Sequence, residues 1–209
     1  METDGMIEVE SEQALRELLG PVMPRAATKV KPSLPPVARD WLARSPFCLI
    51  STSAPDGSCD VSPKGDPAGF ALVLDDTTIA IPDRPGNRRA DGFLNLLGNP
   101  QIGLIFLVPG RGDTLRINGR ATIVSQAPFF DQMIVAGNRP RLAVVVDVEE
   151  VFFHCSKAFL RSKLWDPGSW EPEALPSRAQ ISHQLEPGQS LQQLEEHYGP
   201  RYADSLYRA

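Results

Sequence analysis

The sequence predicts a mainly β protein of the α+β class: a small antiparallel barrel with peripheral helices. Three observations lead there. Short apolar runs recur between clusters of turn-forming residues. Neighbouring runs are close enough to pair as hairpins, across Pro55-Asp56-Gly57 and again across Asp75-Asp76. The 20 prolines and 16 glycines among 209 residues punctuate many short elements rather than a few long ones.

Taken in order, residues 1–46 read as an N-terminal helical arm. Ser11 can cap a helix with Ala14, Leu15, Leu18 and Leu19 on one side, ending at Gly20-Pro21. Pro35-Pro36 can open a second helix through Trp41 and Leu42. Both are expected to pack onto the core. Strands then follow: 47–53, 59–62, 70–74, 77–81, 101–108, 114–124 and 142–153. In 114–124, Leu115, Ile117, Gly119, Ala121 and Ile123 share one side, and Arg116, Asn118, Arg120 and Thr122 the other. One helix, about 87–97, interrupts them. It is expected to turn Phe93, Leu94 and Leu97 inward and to stop at Gly98-Asn99-Pro100. That makes six or seven hairpin-linked strands, the pattern of a small barrel. The domain spans 47–166, and 167–209 form a polar extension with a last amphipathic helix around Leu191, Leu194 and Tyr198.

Composition narrows the function classes. A 42% hydrophobic content supports a real core and excludes overall disorder. With 21 Lys+Arg against 26 Asp+Glu, the net charge of −5 argues against a nucleic-acid partner. No apolar run reaches the roughly 20 residues of a membrane helix, so no membrane partner is expected. The acidic residues 1–12 do not look like a secretory signal. Cys48, Cys59 and Cys155 form no C-x-x-C pair, which suits a reducing cytoplasm rather than a disulfide framework or structural zinc.

Several motifs fail. There is no Walker A loop and no nucleophile elbow. Gly110-Arg111-Gly112 begins like a dinucleotide fingerprint, but Leu115 stands at the third glycine position. His154, His183 and His197 lack metal-ligand spacing, so no metal is expected.

Two stretches survive. Val61 to Pro67 ends one strand in a rigid turn, and Ile81 to Arg89 ends another and opens the helix. A helix N-terminus carries roughly half a positive charge and favours acidic residues. Here it is given Arg84, Arg88 and Arg89 instead, with Lys64 nearby. A bound phosphate would account for that arrangement. The alternative is pairing of these cations with Asp83, Asp91 and Asp66 as solvated surface bridges. Gly65 and Gly86 suit close approach of a flat ligand or ordinary turns. The second stretch, Cys155 to Trp165, is basic and aromatic. Lys157 and Arg161 would share a helix face, and Trp165 offers a stacking surface, or the segment is a dimer-contact helix.

The segments FCLISTSAPDGSCDVSPKGDPAGF, IPDRPGNRRADGFLNLLGNPQIGLIFLVPGRGDTLRINGRA and HCSKAFLRSKLW together resemble the FMN-binding split-barrel flavoproteins related to pyridoxamine 5′-phosphate oxidase. The resemblance covers 37–166. It implies a six-stranded antiparallel split β-barrel, a homodimer, and FMN bound at the subunit interface. Lys64 matches the family's basic residue after the first hairpin. Asn87, Arg88 and Arg89 match its Ser-Arg-Lys phosphate motif, with Asn for Ser and Arg for Lys. Further contacts implied for FMN are Ser62, Pro63, Gly65 and Asp66 along the ring, and Ile81, Pro82 and Asp83 at the strand end. Arg111, Arg116, Arg161 and Trp165 would approach from the second subunit. The C-terminal Arg-Leu-His-type pattern that grips a vitamin B6 substrate is missing, so that reaction is not implied. The expected function is FMN-dependent oxidoreduction of a small molecule. The alternatives are a non-catalytic FMN-binding or storage protein, or a deazaflavin- or haem-binding relative with His154 as first candidate haem ligand.

Overall fold

The computed structural model describes residues 5–207, and the chain divides into two units between Val30 and Lys31. The first unit holds α1 (Glu12–Leu19) and α2 (Pro24–Ala27). Ser11 caps α1 by accepting from the Ala14 amide at 3.1 Å. Gly20 ends it with φ +78°. The expected inward face of α1 is not buried: Leu18 and Leu19 are each 72% exposed.

The second unit is α+β. Helix α3 (Pro36–Leu42) starts with proline at its first turn, where a missing N–H costs nothing. It buries Ala38, Trp41 and Leu42. The strands are β1 (Phe47–Ser53), β2 (Cys59–Gly65), β3 (Leu72–Val73), β4 (Thr78–Pro82), β5 (Gln101–Leu107), β6 (Thr114–Val124) and β7 (Ala143–His154). They form one antiparallel sheet in the order β2-β1-β5-β6-β7-β4-β3. Seven strands pair, against the six implied by the resemblance, and the order is open, with β2 and β3 at its edges. Helix α4 (Asp91–Gly98) lies between β4 and β5 in the chain. After β7 come α5 (Lys157–Ser162), two short 3₁₀ turns, α6 (Arg178–Leu185), α7 (Leu191–His197) and a last 3₁₀ turn, Pro200–Ser205.

Burial follows the alternation read from sequence. Leu115, Ile117 and Ala121 of β6 face the core with Ile50 of β1, Leu104 and Phe106 of β5, and Val146 of β7. Trp41 closes one side, donating its indole N–H to Phe106 O at 3.3 Å and meeting Phe153 edge-on at 5.4 Å. Buried Ser45 is satisfied by donating to the Leu107 carbonyl at 2.6 Å.

Two expectations are corrected. Helix α4 begins at Asp91 rather than about residue 87, and it buries Leu96 while Leu94 and Leu97 are 61% and 76% exposed. The cluster Phe93, Leu94, Leu96, Leu97 offers two possible apolar faces, and packing selects the one through Phe93 and Leu96. The β6–β7 pairing also carries a bulge. Asn118 pairs with Glu150 but Gly119 with Val148, so Glu149 is the extra residue.

At that bulge a Cβ on Gly119 would stand 2.1 Å from the Asp147 carbonyl oxygen, which is backbone and cannot swing aside. Gly119→Ala should therefore destabilise the fold by about 2 kcal/mol or more, as overpacking does. Urea denaturation checks this as a lowered midpoint with unchanged slope.

Candidate functional site

The site is assembled where β2 and β4 end and α4 begins. Along edge strand β2, Asp60, Ser62, Lys64 and then Asp66 are partly shielded, while Cys59, Val61, Pro63 and Gly65 face outward and exposed. Residues 83–90 have no regular structure. Two ion pairs fasten the start of this loop to the end of β2. Lys64 Nζ lies 3.0 Å from Asp83 Oδ1, both about three-quarters shielded. Arg84 Nε lies 2.5 Å from Asp66 Oδ2, with the Asp66 side chain 0% exposed. Arg84 also donates to the carbonyls of Met133 at 2.7 Å and Asn138 at 3.3 Å.

The far end of the loop is fixed by α4. Gly92 lies so close to β1 and β2 that a Cβ there would meet Asp60 Oδ2 at 3.1 Å and Thr52 Oγ1 at 3.6 Å. Asn95 donates to Thr52 Oγ1 at 3.1 Å, and Asn99 to Ser53 Oγ at 3.0 Å. Glycine thus lets the helix start approach the strand pair.

The helix start itself is unfinished. Its N-cap, Ala90, has no side-chain oxygen to offer, and the amides of Asp91, Gly92 and Phe93 have no acceptor among the described residues. Arg88 and Ala90 both occupy the left-handed region, at φ +61° and +60°. Asn87 Oδ1 accepts from the Arg89 amide at 3.1 Å. Arg89 Nε pairs with Asp91 Oδ2 at 2.7 Å, an exposed bridge that holds its guanidinium proton more firmly than usual. Arg88 is exposed and makes no hydrogen bond or ion pair among the described residues.

The structure thus brings Ser62 and Lys64 to the start of α4, beside the loop that carries Asp83, Asn87, Arg88 and Arg89, while Asp66 is tied to the root of that loop through Arg84. The ion-pair reading of the cations holds for three of the four. Arg84 is committed to Asp66, and Lys64 and Arg89 have carboxylate partners, which leaves Arg88 unpaired. Ile81 and Pro82 are buried, with Ile81 1% exposed, so they offer backbone rather than side chains. Thr52, Asp60, Gly92 and Asn95 were not singled out from sequence. They carry no motif, and only the packing of α4 on β1 and β2 makes them part of the site.

The remaining candidates form a second group. Trp165 donates its indole N–H to Arg111 O at 2.7 Å and stacks on Phe159 at 6.0 Å. Arg111 grips Asp113 through two nitrogens, at 2.7 and 2.9 Å, which holds the Asp113 carboxyl below the usual range. Arg161 is exposed on α5. Arg116 lies over Phe152 at 5.0 Å, and its Nε is buried with no acceptor. Register places Arg116 in one row with Ile105, Leu49 and Pro63. It is therefore three strands, about 14 Å, from β2. The two groups do not meet on one strand of a single chain.

The profile of the family described as pyridoxamine 5′-phosphate oxidase matches residues 34–155. The chain belongs to that family. The match takes in α3, the whole sheet, the 83–90 loop and α4, and stops before α5. Solved structures with similarity to the chain include a variant of HupZ from Group A Streptococcus, 17% identical over 58% of this chain and 99% of that one, with a TM-score of 0.47. Another is a Clostridium acetobutylicum protein related to general stress protein 26, 14% identical over 56% and 85%, with a TM-score of 0.43. A third is HutZ, the haem storage protein from Vibrio cholerae, 15% identical over 58% and 93%, with a TM-score of 0.39. No curated protein matches the chain. Among the described residues no helix is long and apolar enough to cross a membrane, and no cluster of His, Cys, Asp and Glu is placed to hold a metal.

The three thiols differ in environment. Cys59 and Cys155 are exposed, whereas Cys48 is buried and its thiol is pushed up to about 12 by loss of solvent, with the Lys64 charge acting the other way. A thiol-directed label at pH 8 should therefore modify Cys59 and Cys155 in the folded protein and spare Cys48 until denaturant is added, as peptide mass mapping would show. Raised in the fold, Cys48 favours the folded state below its ordinary thiol range. That contribution should be lost as pH rises towards about 12, because the unfolded chain ionises first.

Proposed function

We propose that the chain is a homodimeric FMN-dependent oxidoreductase acting on a small molecule. The observation that carries this reading is the helix start of α4: three amides without acceptors, an unpaired Arg88, and Arg89 and Lys64 within the same cluster. That donor set fits a phosphate monoester. Helix dipole, amides and guanidiniums all favour the same negative charge.

The paired cations do not oppose this. The Arg89–Asp91 bridge is exposed, with the arginine 73% and the aspartate 44% accessible, so it stabilises little and can be exchanged for a phosphate oxygen. Lys64 is held by Asp83 at the loop's root and supplies a fixed positive charge near the end of β2. The other side of β2, from Val61 through Pro63 to Gly65, is exposed along the same strand. We assign the ring of FMN to the backbone from Ser62 to Asp66.

Bound FMN would supply the electron transfer itself. The chain's own residues would bind the phosphate at Arg88, Arg89 and the α4 amides, orient the ring along β2, and place cationic charge near it. No side chain of this site is required as a nucleophile.

The second group of residues supports a second copy of the chain. Arg116, Phe152, Ile105 and Leu49 form a half-buried, largely apolar row that runs on to exposed Pro63, and the buried Arg116 Nε has no acceptor among the described residues. Covering that row with another subunit would bring Arg111, Arg116, Arg161 and Trp165 towards the partner's β2. On this reading the six longer strands are a split barrel and β3 is a short addition at its edge.

Purified protein should carry a flavin absorption spectrum and release a cofactor of the mass of FMN. Replacing Arg88 and Arg89 together by Ala should weaken FMN binding by roughly tenfold or more per residue. Unchanged affinity in a titration by flavin fluorescence quenching would overturn the placement. Steady-state NAD(P)H consumption or oxygen uptake would separate an enzyme from a protein that only stores FMN.

A further inference from the structure

The C-terminal segment, which lies outside the matched region 34–155, returns to this site at one point. Tyr207 donates its hydroxyl hydrogen bond to Asp66 Oδ1, across 141 residues of sequence. Its ring lies over the Arg84 guanidinium at 5.6 Å. Asp66 has no exposed side-chain surface, so its oxygens must be satisfied from within the protein. Arg84 meets Oδ2 and Tyr207 meets Oδ1, with no other donor to Oδ1 among the described residues. The bond to Asp66 and burial both raise the Tyr207 phenol above its ordinary range, which keeps it a neutral donor.

Arg84 is held on several sides. It is bound by Asp66, by the carbonyls of Met133 and Asn138, and by the Tyr207 ring, and only 14% of its side chain is exposed. It stands four residues before Arg88, in a loop with no regular hydrogen bonding of its own. The setting of that loop therefore depends on what Asp66 holds.

We infer that Tyr207 is a positioning residue: through Asp66 and Arg84 the C-terminal segment fixes residues 83–90 so that Arg88 and the free amides of Asp91, Gly92 and Phe93 are presented to the phosphate of a flavin nucleotide. The clamp on the loop stands on the contacts themselves, whereas the identity of the ligand rests on the function proposed above.

Tyr207→Phe keeps the ring over Arg84 and removes the hydroxyl, so it tests the bond to Asp66 separately from the ring contact. In the ligand-free protein, hydrogen exchange of peptides covering 83–90 should quicken several-fold while β6 peptides are unchanged. FMN affinity should fall on the order of tenfold, and riboflavin, which has no phosphate, should bind as it does to the unaltered chain. A purely structural role would weaken both ligands together and accelerate exchange across the sheet, and either result would overturn the inference, as would unchanged exchange at 83–90. If the unaltered chain binds no FMN, the flavin reading fails. The exchange of 83–90 then decides the clamp by itself.

Discussion

A carboxylate with no access to water organises this site. Burying the Asp66 charge is expensive unless it is met by a cation and by hydrogen bonds. Arg84 and Tyr207 meet it, and each of these has further commitments, so the end of β2, the loop after β4, the turn at 133–138 and the C-terminal segment converge on one ion pair. Leaving such a buried charge without its partner costs roughly 3–5 kcal/mol. The neighbouring Lys64–Asp83 bridge repeats the connection in a wetter setting.

Charge around the helix start is balanced in number and graded in availability. Lys64, Arg84, Arg88 and Arg89 are matched by Asp60, Asp66, Asp83 and Asp91. Burial separates their roles. The Arg84 pair is shut in, the Lys64 pair is about three-quarters shielded, the Arg89 pair is open, and Arg88 has no partner among the described residues. A chain with a net charge of −5 can thus hold an anion without a positive field at long range. At physiological salt such fields fade within about 8 Å, so recognition here depends on contact.

What could be read from sequence follows the range of the interactions. The alternation of β6, the capping of α1 by Ser11 and the proline start of α3 are local, and all three are found. The bulge opposite Gly119 depends on the register of two strands, and neither strand alone signals it. The late start of α4 was hidden because Arg88 and Ala90 take left-handed backbone that their residue types do not announce. The arginine-rich helix start was visible, yet its two explanations stayed open until tertiary pairing separated Arg84 from Arg88. Tyr207 was invisible: it sits in a polar tail, and its partner is distant in the chain.

The left-handed pair at Arg88 and Ala90 has a further consequence. Each such residue costs roughly 1–2 kcal/mol against ordinary backbone, and glycine would relieve it. At position 88 that relief would remove the guanidinium of this cluster that pairs with no carboxylate among the described residues. Selection for robustness and selection for ligand capture therefore pull this position in opposite directions, and a stabilising drift to glycine there would leave a sturdier molecule with a blunter grip.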